Sequence, residues 1–260
     1  MRWIVQSNLY SEANFQLLIE ALERLGVEHS CHKVVPFSHT LEPETTVPVG
    51  QAVFVMGTTT LAKIAEDRGW TPGSFLNENF DFSVQRAYWG NNMLNFDAGV
   101  GPMSRVPFQP DPFFIRPTVD SKAFAGTVMD WGQFCEWYAG LLKLRAEDNP
   151  TITPDTEVVV APLQTIHSEA RLWMVDKKVV TASGYKQGNR VVYSPQVNDD
   201  ILAFGEQMAR RWSPARAYCL DVASTPEGPK IIEVNNLSSA GFYAANMNKL
   251  VMAIESMEFD

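Results

Sequence analysis

The chain of 260 residues is long enough for one large domain or two closely packed lobes, and its 45% hydrophobic, 20% charged and 11% aromatic residues exclude a disordered or low-complexity protein. A formal charge of -9 argues against a general binder of nucleic-acid backbones, while a local basic cleft for a small anionic ligand stays open. Cys31, Cys135 and Cys219 are too few and too scattered for a disulfide framework or a CxxC metal site, which fits a reducing, cytoplasmic setting.

The opening "MRWIVQSNLYSEANFQ" lacks the continuous apolar core of a signal peptide, and no stretch reaches the length of a membrane helix. A soluble, unexported protein without a membrane partner is expected. "RWIVQ" reads as a strand, and Phe15, Leu18, Leu22 and Leu25 follow at helical spacing, with Ser11 as N-cap and Gly26 as stop. "HKVVPF" is a second strand; "QAVFVM" is a third, followed by a turn at Gly57 and another helix. Residues 1 to about 70 therefore predict a β-α-β-β-α unit with a mostly parallel sheet. Residues 71 to 112, rich in Pro, Gly and Asn, read as a connector with short helical pieces. Beyond it, "FFIRP", "EVVVAPL", "EARLWMVDKKVVTASGYK", "RAYCLDVAST" and "PKIIEVN" are strands, and helices are expected near 131–145, 199–212 and 243–257. The second half predicts an antiparallel α+β lobe or pair of lobes, with no internal repeat.

"RAYCLDVASTPEGPKIIEVNN" has the pattern of a hairpin. A turn centred on Glu227 places Asp221 directly across from Glu233, with Asn235 on the same face as Glu233. Facing carboxylates repel unless a cation or proton sits between them, and a hard divalent ion such as Mg²⁺, which takes oxygen ligands together with nucleotide phosphates, resolves the conflict. The competing reading makes Asp221 and Glu233 a solvated face, with Leu220, Val222, Ile232 and Val234 turned to the core. In "SEARLWMVDKKVV", Glu169, Arg171, Trp173 and Val175 share one face, so Glu169 and Arg171 either pair with each other or receive a ligand.

The stretch "LDVASTPEGPKIIEVNNLSSAG" resembles the terminal motif of the ATP-grasp superfamily, an Asp followed by Glu-x-Asn on the next strand. The resemblance implies that Asp221, Glu233 and Asn235 bind the Mg²⁺ that bridges ATP phosphates, and that Asn236 and Ser238 begin a substrate-facing loop. "PFFIRPTVDSKAFAG" fits the same family, with Arg116-Pro117 where Lys-Pro is usual and a single glycine in the following loop. This departure resembles the R2K clade, frequent in bacteria and phages, whose two arginines and lysine fall here on Arg116, Arg171 and Lys122. "EVVVAPLQ" is similar to the hinge that reads adenine through its backbone, which implies Val160, Ala161 and Leu163; Glu169 joins the nucleotide side. Thr58 to Thr60 fall where the family's N-terminal domain helps bind the acceptor.

Other residues favour simpler roles. His29, Cys31 and His32 have no second ligand pair nearby and suit a strand on the surface, His39 suits a loop, and His167 suits a turn. Lys143, Arg145, Lys177, Lys178 and Lys186 read as solvated charges.

The expected fold class is therefore α/β (α+β): an ATP-grasp fold in residues 112–260 after a Rossmann-like N-terminal domain and connector in residues 1–111. The resemblance implies ATP and Mg²⁺ as cofactors and an ADP-forming ligase, in which a carboxylate forms an acylphosphate that an amine or thiol displaces. Small molecules or peptides are the implied substrates, and oligomeric state stays open. The alternatives are a non-catalytic nucleotide-binding or interaction protein of the same fold and a kinase acting on a hydroxyl.

Overall fold

The computed structural model of the chain describes residues 1–9, 14–35, 38–75, 81–119, 124–144 and 151–259. The first sheet contains β1 (Arg2–Gln6), β2 (His29–Val35), β3 (Thr40–Glu42), β4 (Val53–Met56) and β5 (Pro72–Gly73), in the order β3-β2-β1-β4-β5. β1 runs parallel to both β2 and β4, while β3 is antiparallel to β2. Two helices, α1 (Phe15–Arg24) and α2 (Thr59–Asp67), connect these strands. Leu18, Ala21 and Leu22 are the buried positions of α1, a stripe at helical spacing. The expected N-cap Ser11 lies outside the described residues.

Between residues 71 and 112 the chain forms α3 (Phe82–Trp89), capped by the Asp81 carboxylate, and β6 (Gly99–Pro102). β6 joins a four-stranded antiparallel sheet with β7 (Phe113–Pro117), β8 (Thr127–Met129) and β9 (Glu157–Pro162), in the order β6-β9-β7-β8. The glycine-rich sequence "GVGP" carries no period-2 signal, and the structure makes it a strand within the segment expected to be a connector. One face of the sheet packs Phe113, Ile115, Val158 and Val160 against Phe134 of α4 (Trp131–Leu141), whose start is fixed by an Asp130/Gln133 capping box.

The third sheet is antiparallel throughout and ordered β12-β11-β10-β13-β14: β10 (Ser168–Val175), β11 (Lys178–Gln187), β12 (Arg190–Ser194), β13 (Ala217–Thr225) and β14 (Gly228–Asn235). The long "EARLWMVDKKVVTASGYK" segment is thus two strands, turned at Asp176 and Lys177, both of which have positive φ. On one face, Ala170, Leu172, Met174, Leu220, Val222, Ile231 and Val234 pack with α5 (Asp199–Arg211), with Phe82 and Trp89 of α3, and with Val159 and Ala161 of β9. On the other, Trp173, Val175, Ala217 and Cys219 pack against Trp3, Val5, Phe54 and Met56 of the first sheet and Leu250, Val251 and Ile254 of α6 (Met247–Glu255). The large sheet is therefore covered on both faces, except where its polar residues stand. No helix among the described residues is long and apolar enough to cross a membrane.

Candidate active site

The β13–β14 hairpin turns at Pro226 and Glu227, and its register pairs Asp221 with Glu233 and Cys219 with Asn235. A β-bulge follows, because Val222 pairs with Ile231 and Ile232 is the extra residue. This corrects the alternative reading of the strand: Ile231, fully buried, faces the core, and Ile232 is only half-buried. The bulge shifts side-chain parity by one, which lets β14 bury Ile231 near the turn and still aim Glu233 and Asn235 at the Asp221 side.

On the far side of β13, Asp221 pairs with Arg171 of β10, and Arg171 pairs in turn with Ser183 of β11. One row across four strands therefore carries Ser183, Arg171, Asp221 and Glu233. Arg171 Nε donates to Asp221 Oδ1 and Nη2 donates to Oδ2, each at 2.8 Å, a two-point contact buried on both sides. Asn235 Nδ2 sits between the carboxylates, 3.1 Å from Asp221 Oδ2 and 3.1 Å from Glu233 Oε1. The Arg171 guanidinium also stacks on Tyr243, with its carbon 4.9 Å from the ring centroid, and Tyr185 and Tyr193 each stack on Tyr243 at 5.1 Å.

Burial pushes the Asp221 carboxyl above the ordinary carboxylate range, opposed by Arg171 and reinforced by Glu233 and Glu169. Burial works against the Arg171 charge as well, but the Coulomb attraction and hydrogen bonds of Asp221 outweigh it and raise the guanidinium further. Burial, then Asp221 and Glu169, raises the Tyr185 hydroxyl well above its usual range.

Several expectations change. Glu169 does not pair with Arg171; its carboxylate accepts from Lys186 Nζ at 2.7 Å, so Lys186 is a partner within the site and not a solvated charge. The facing carboxylates are compensated by Arg171 and Asn235, so their mutual repulsion does not by itself call for a divalent ion. Asn236 and Ser238, expected at a substrate-facing loop, are both buried, and both donate to the Ser74 carbonyl, which commits their side chains within the fold. Thr58 donates its amide and hydroxyl to Gln6 Oε1, which commits it to the C-terminal end of the central strand β1. Val160 is paired with Gly99 on one side and Ile115 on the other, so its backbone belongs to the sheet. Ala161 is buried beside it, paired with Phe114. Leu163, beyond the strand and half exposed, lines a cavity of about 450 Å³ with Gln164, Thr165, Met93, Leu94 and Lys230.

Arg116 stands on β7, outside the row on the large sheet, with its guanidinium 5.3 Å from the Phe82 ring; Arg86 of α3 lies 5.3 Å from the same ring. Lys122 and Arg145 lie outside the described residues. Sequence reasoning missed Tyr185 and Tyr243, which belong to no motif and meet the row only through packing. His32 bonds to Ser30 and to the Pro43 carbonyl, and His29 to the Val27 carbonyl. Among the described residues no cluster of three or more His, Cys, Asp or Glu could hold a metal. The set available at the row is the carboxylates of Asp221 and Glu233 and the side-chain amide of Asn235. Such hard oxygen donors fit Mg²⁺.

A large antiparallel sheet carrying this row and a smaller antiparallel sheet carrying Arg116 are joined by the segment between β9 and β10. The chain belongs to the ATP-grasp family: the model for the ATP-grasp domain of R2K clade family 3 matches residues 32–254. D-cycloserine synthetase DcsG is similar in structure, with a TM-score of 0.62 at 12% identity over 98% of this chain and 99% of that one. D-alanine–D-alanine ligase from Bacillus anthracis gives 0.60 at 11% identity over 98% and 97% of the two chains. The ligase PsnB, solved with a phosphomimetic precursor variant, Mg and ADP, gives 0.52 at 13% identity over 97% and 98%. The shared feature at these identities is the ATP-grasp fold. A comparison with curated protein sequences gives no match.

Proposed function

We propose that the protein is an ATP- and Mg²⁺-dependent ligase that joins a small-molecule or peptide carboxylate to an amine or thiol and releases ADP and phosphate. The observation that carries this reading is the convergence of Arg171, Asp221, Glu233 and Asn235 on one sheet face within an ATP-grasp fold. Similar folds in D-alanine–D-alanine ligase, D-cycloserine synthetase and the Mg- and ADP-bound PsnB support it.

In this reading Asp221, Glu233 and Asn235 hold Mg²⁺, and Arg116 and Lys122 hold phosphates. Leu163 contacts the base. When bound, the metal neutralises charge on the phosphate oxygens. Arg171 offers N–H donors to the transferred phosphoryl group. A carboxylate oxygen attacks the γ-phosphorus and ADP leaves; the nucleophile then attacks the acyl carbon, phosphate leaves, and the nucleophile gives up its proton. Placement and charge neutralisation supply the catalysis, so no covalent nucleophile on the protein is required.

Calorimetric titration of a non-hydrolysable ATP analogue, with and without Mg²⁺, tests the reading on wild type and Glu233→Ala. Mg-dependent binding should weaken about tenfold or more in the variant, which is about 1.4 kcal/mol. Absence of nucleotide binding by wild type in both conditions overturns it.

A further inference from the structure

Asp221 reaches the folded state with a counter-cation already in place. Both of its oxygens are engaged by Arg171 at 2.8 Å, and Asn235 adds a third donor to Oδ2 at 3.1 Å. A divalent ion meets a carboxylate with three of its acceptor positions already taken, and placing its charge beside a retained guanidinium in a buried setting is repulsive. We propose that Arg171 is an exchangeable counter-cation: it occupies Asp221 in the nucleotide-free protein and yields it only when the polyphosphate of a nucleotide takes over the guanidinium. Divalent-metal binding at Asp221 and Glu233 is then conditional on nucleotide. This inference rests on the reading of the row as a nucleotide and metal site.

Two features prepare Arg171 for the exchange. Among the described residues its third nitrogen, Nη1, has a 3.5 Å contact to the Gly241 carbonyl, so one edge of the guanidinium is weakly committed. The Tyr243 ring beneath it, backed by Tyr185 and Tyr193, provides a face on which a planar cation can turn without losing its stack. Lys186, a second cation near this row, is held by Glu169 and so leaves Asp221 to Arg171. Phosphate oxygens match the same two-point fork that the carboxylate now fills.

The test measures Mn²⁺ uptake, read from the paramagnetic resonance of the free ion, in nucleotide-free wild type, Arg171→Met and Arg171→Met/Asp221→Asn. The proposal expects Arg171→Met to bind Mn²⁺ at least tenfold more tightly than wild type, with the gain lost in the double variant. Arg171→Lys, which keeps the charge but cannot make the two-point contact, should gain a few-fold, and it carries the comparison if the Met variant does not fold. Equal Mn²⁺ affinity in wild type and whichever single variants fold overturns the exchange. In parallel, wild type is titrated with the Mn²⁺ complex of a non-hydrolysable ATP analogue. Binding of that complex with no gain in the variants leaves the ligase reading standing and removes the exchange. A gain in the variants while wild type binds no nucleotide supports Arg171 as the occupant of Asp221 but overturns nucleotide as its trigger, and the ligase reading falls with it.

Discussion

At the residue scale the charges on the large sheet are unequal in what they stabilise. Asp221 is 2% exposed and Arg171 6%, and each is the other's buried partner, whereas Glu233 is half-buried at the sheet margin. Removing one member of a buried ion pair strands the other, at a cost of about 3–5 kcal/mol. Asp221→Asn should therefore lower the unfolding free energy by about that amount in urea denaturation, while Glu233→Gln should change it by less than about 1 kcal/mol. Both substitutions remove a proposed metal ligand, so nucleotide affinity alone does not separate their effects. The sequence motif located these two acids and Asn235. It held no sign that Arg171, 50 residues earlier in the chain, would be the partner of Asp221.

At the element scale two local irregularities shape the site. The bulge at Ile232 was not visible in the sequence because "KIIEVN" fits an unbroken alternation equally well until the strand is paired with β13. Helix α5 offers the second case. A Cβ built at Gly205 would lie 2.3 Å from Leu172 Cδ1, so the glycine lets the helix lie close against β10, the strand that carries Arg171. Alanine is favoured over glycine in a helix by about 1 kcal/mol. Gly205→Ala should nonetheless destabilise the protein by about 1–3 kcal/mol through overpacking. Adding Leu172→Ala should relieve the clash, so that thermal unfolding shows the double variant more stable than the sum of the single losses.

At the scale of the whole molecule, the large sheet is the common wall of two cores, and its centre strands β10 and β13 contribute to both. Tyr218, fully buried on the α5 side, has its hydroxyl pushed up to about 12 from an ordinary 10.0, by burial and against a weak bond from Ser213. A group whose folded pKa is raised stabilises fully below its unfolded pKa and loses that contribution as pH rises through the folded value. Stability should therefore hold to about pH 10 and fall from there toward pH 12, by about 3 kcal/mol for this tyrosine. Tyr185 and Tyr243 are shifted in the same direction by burial. Urea unfolding at pH 8, 10 and 11 should show the decline, and Tyr218→Phe should flatten part of it.

Sequence periodicity alone determined most strands and helices. A turn centred on Glu227 named the Asp221–Glu233 pair, but the two-residue turn at Pro226 and Glu227 would by itself face Asp221 with Ile232, and the bulge, set by pairing with β13, restores the pair. Motif spacing likewise carried the family. Tertiary structure decided the rest. It buried Asn236 and Ser238 against Ser74, gave Lys186 to Glu169, recruited β6 from an aperiodic segment, and set Tyr243 beneath Arg171. Each of these depends on contacts between residues far apart in the chain, and such contacts are chosen by which surfaces meet when the sheets pack, a property that no local stretch encodes by itself.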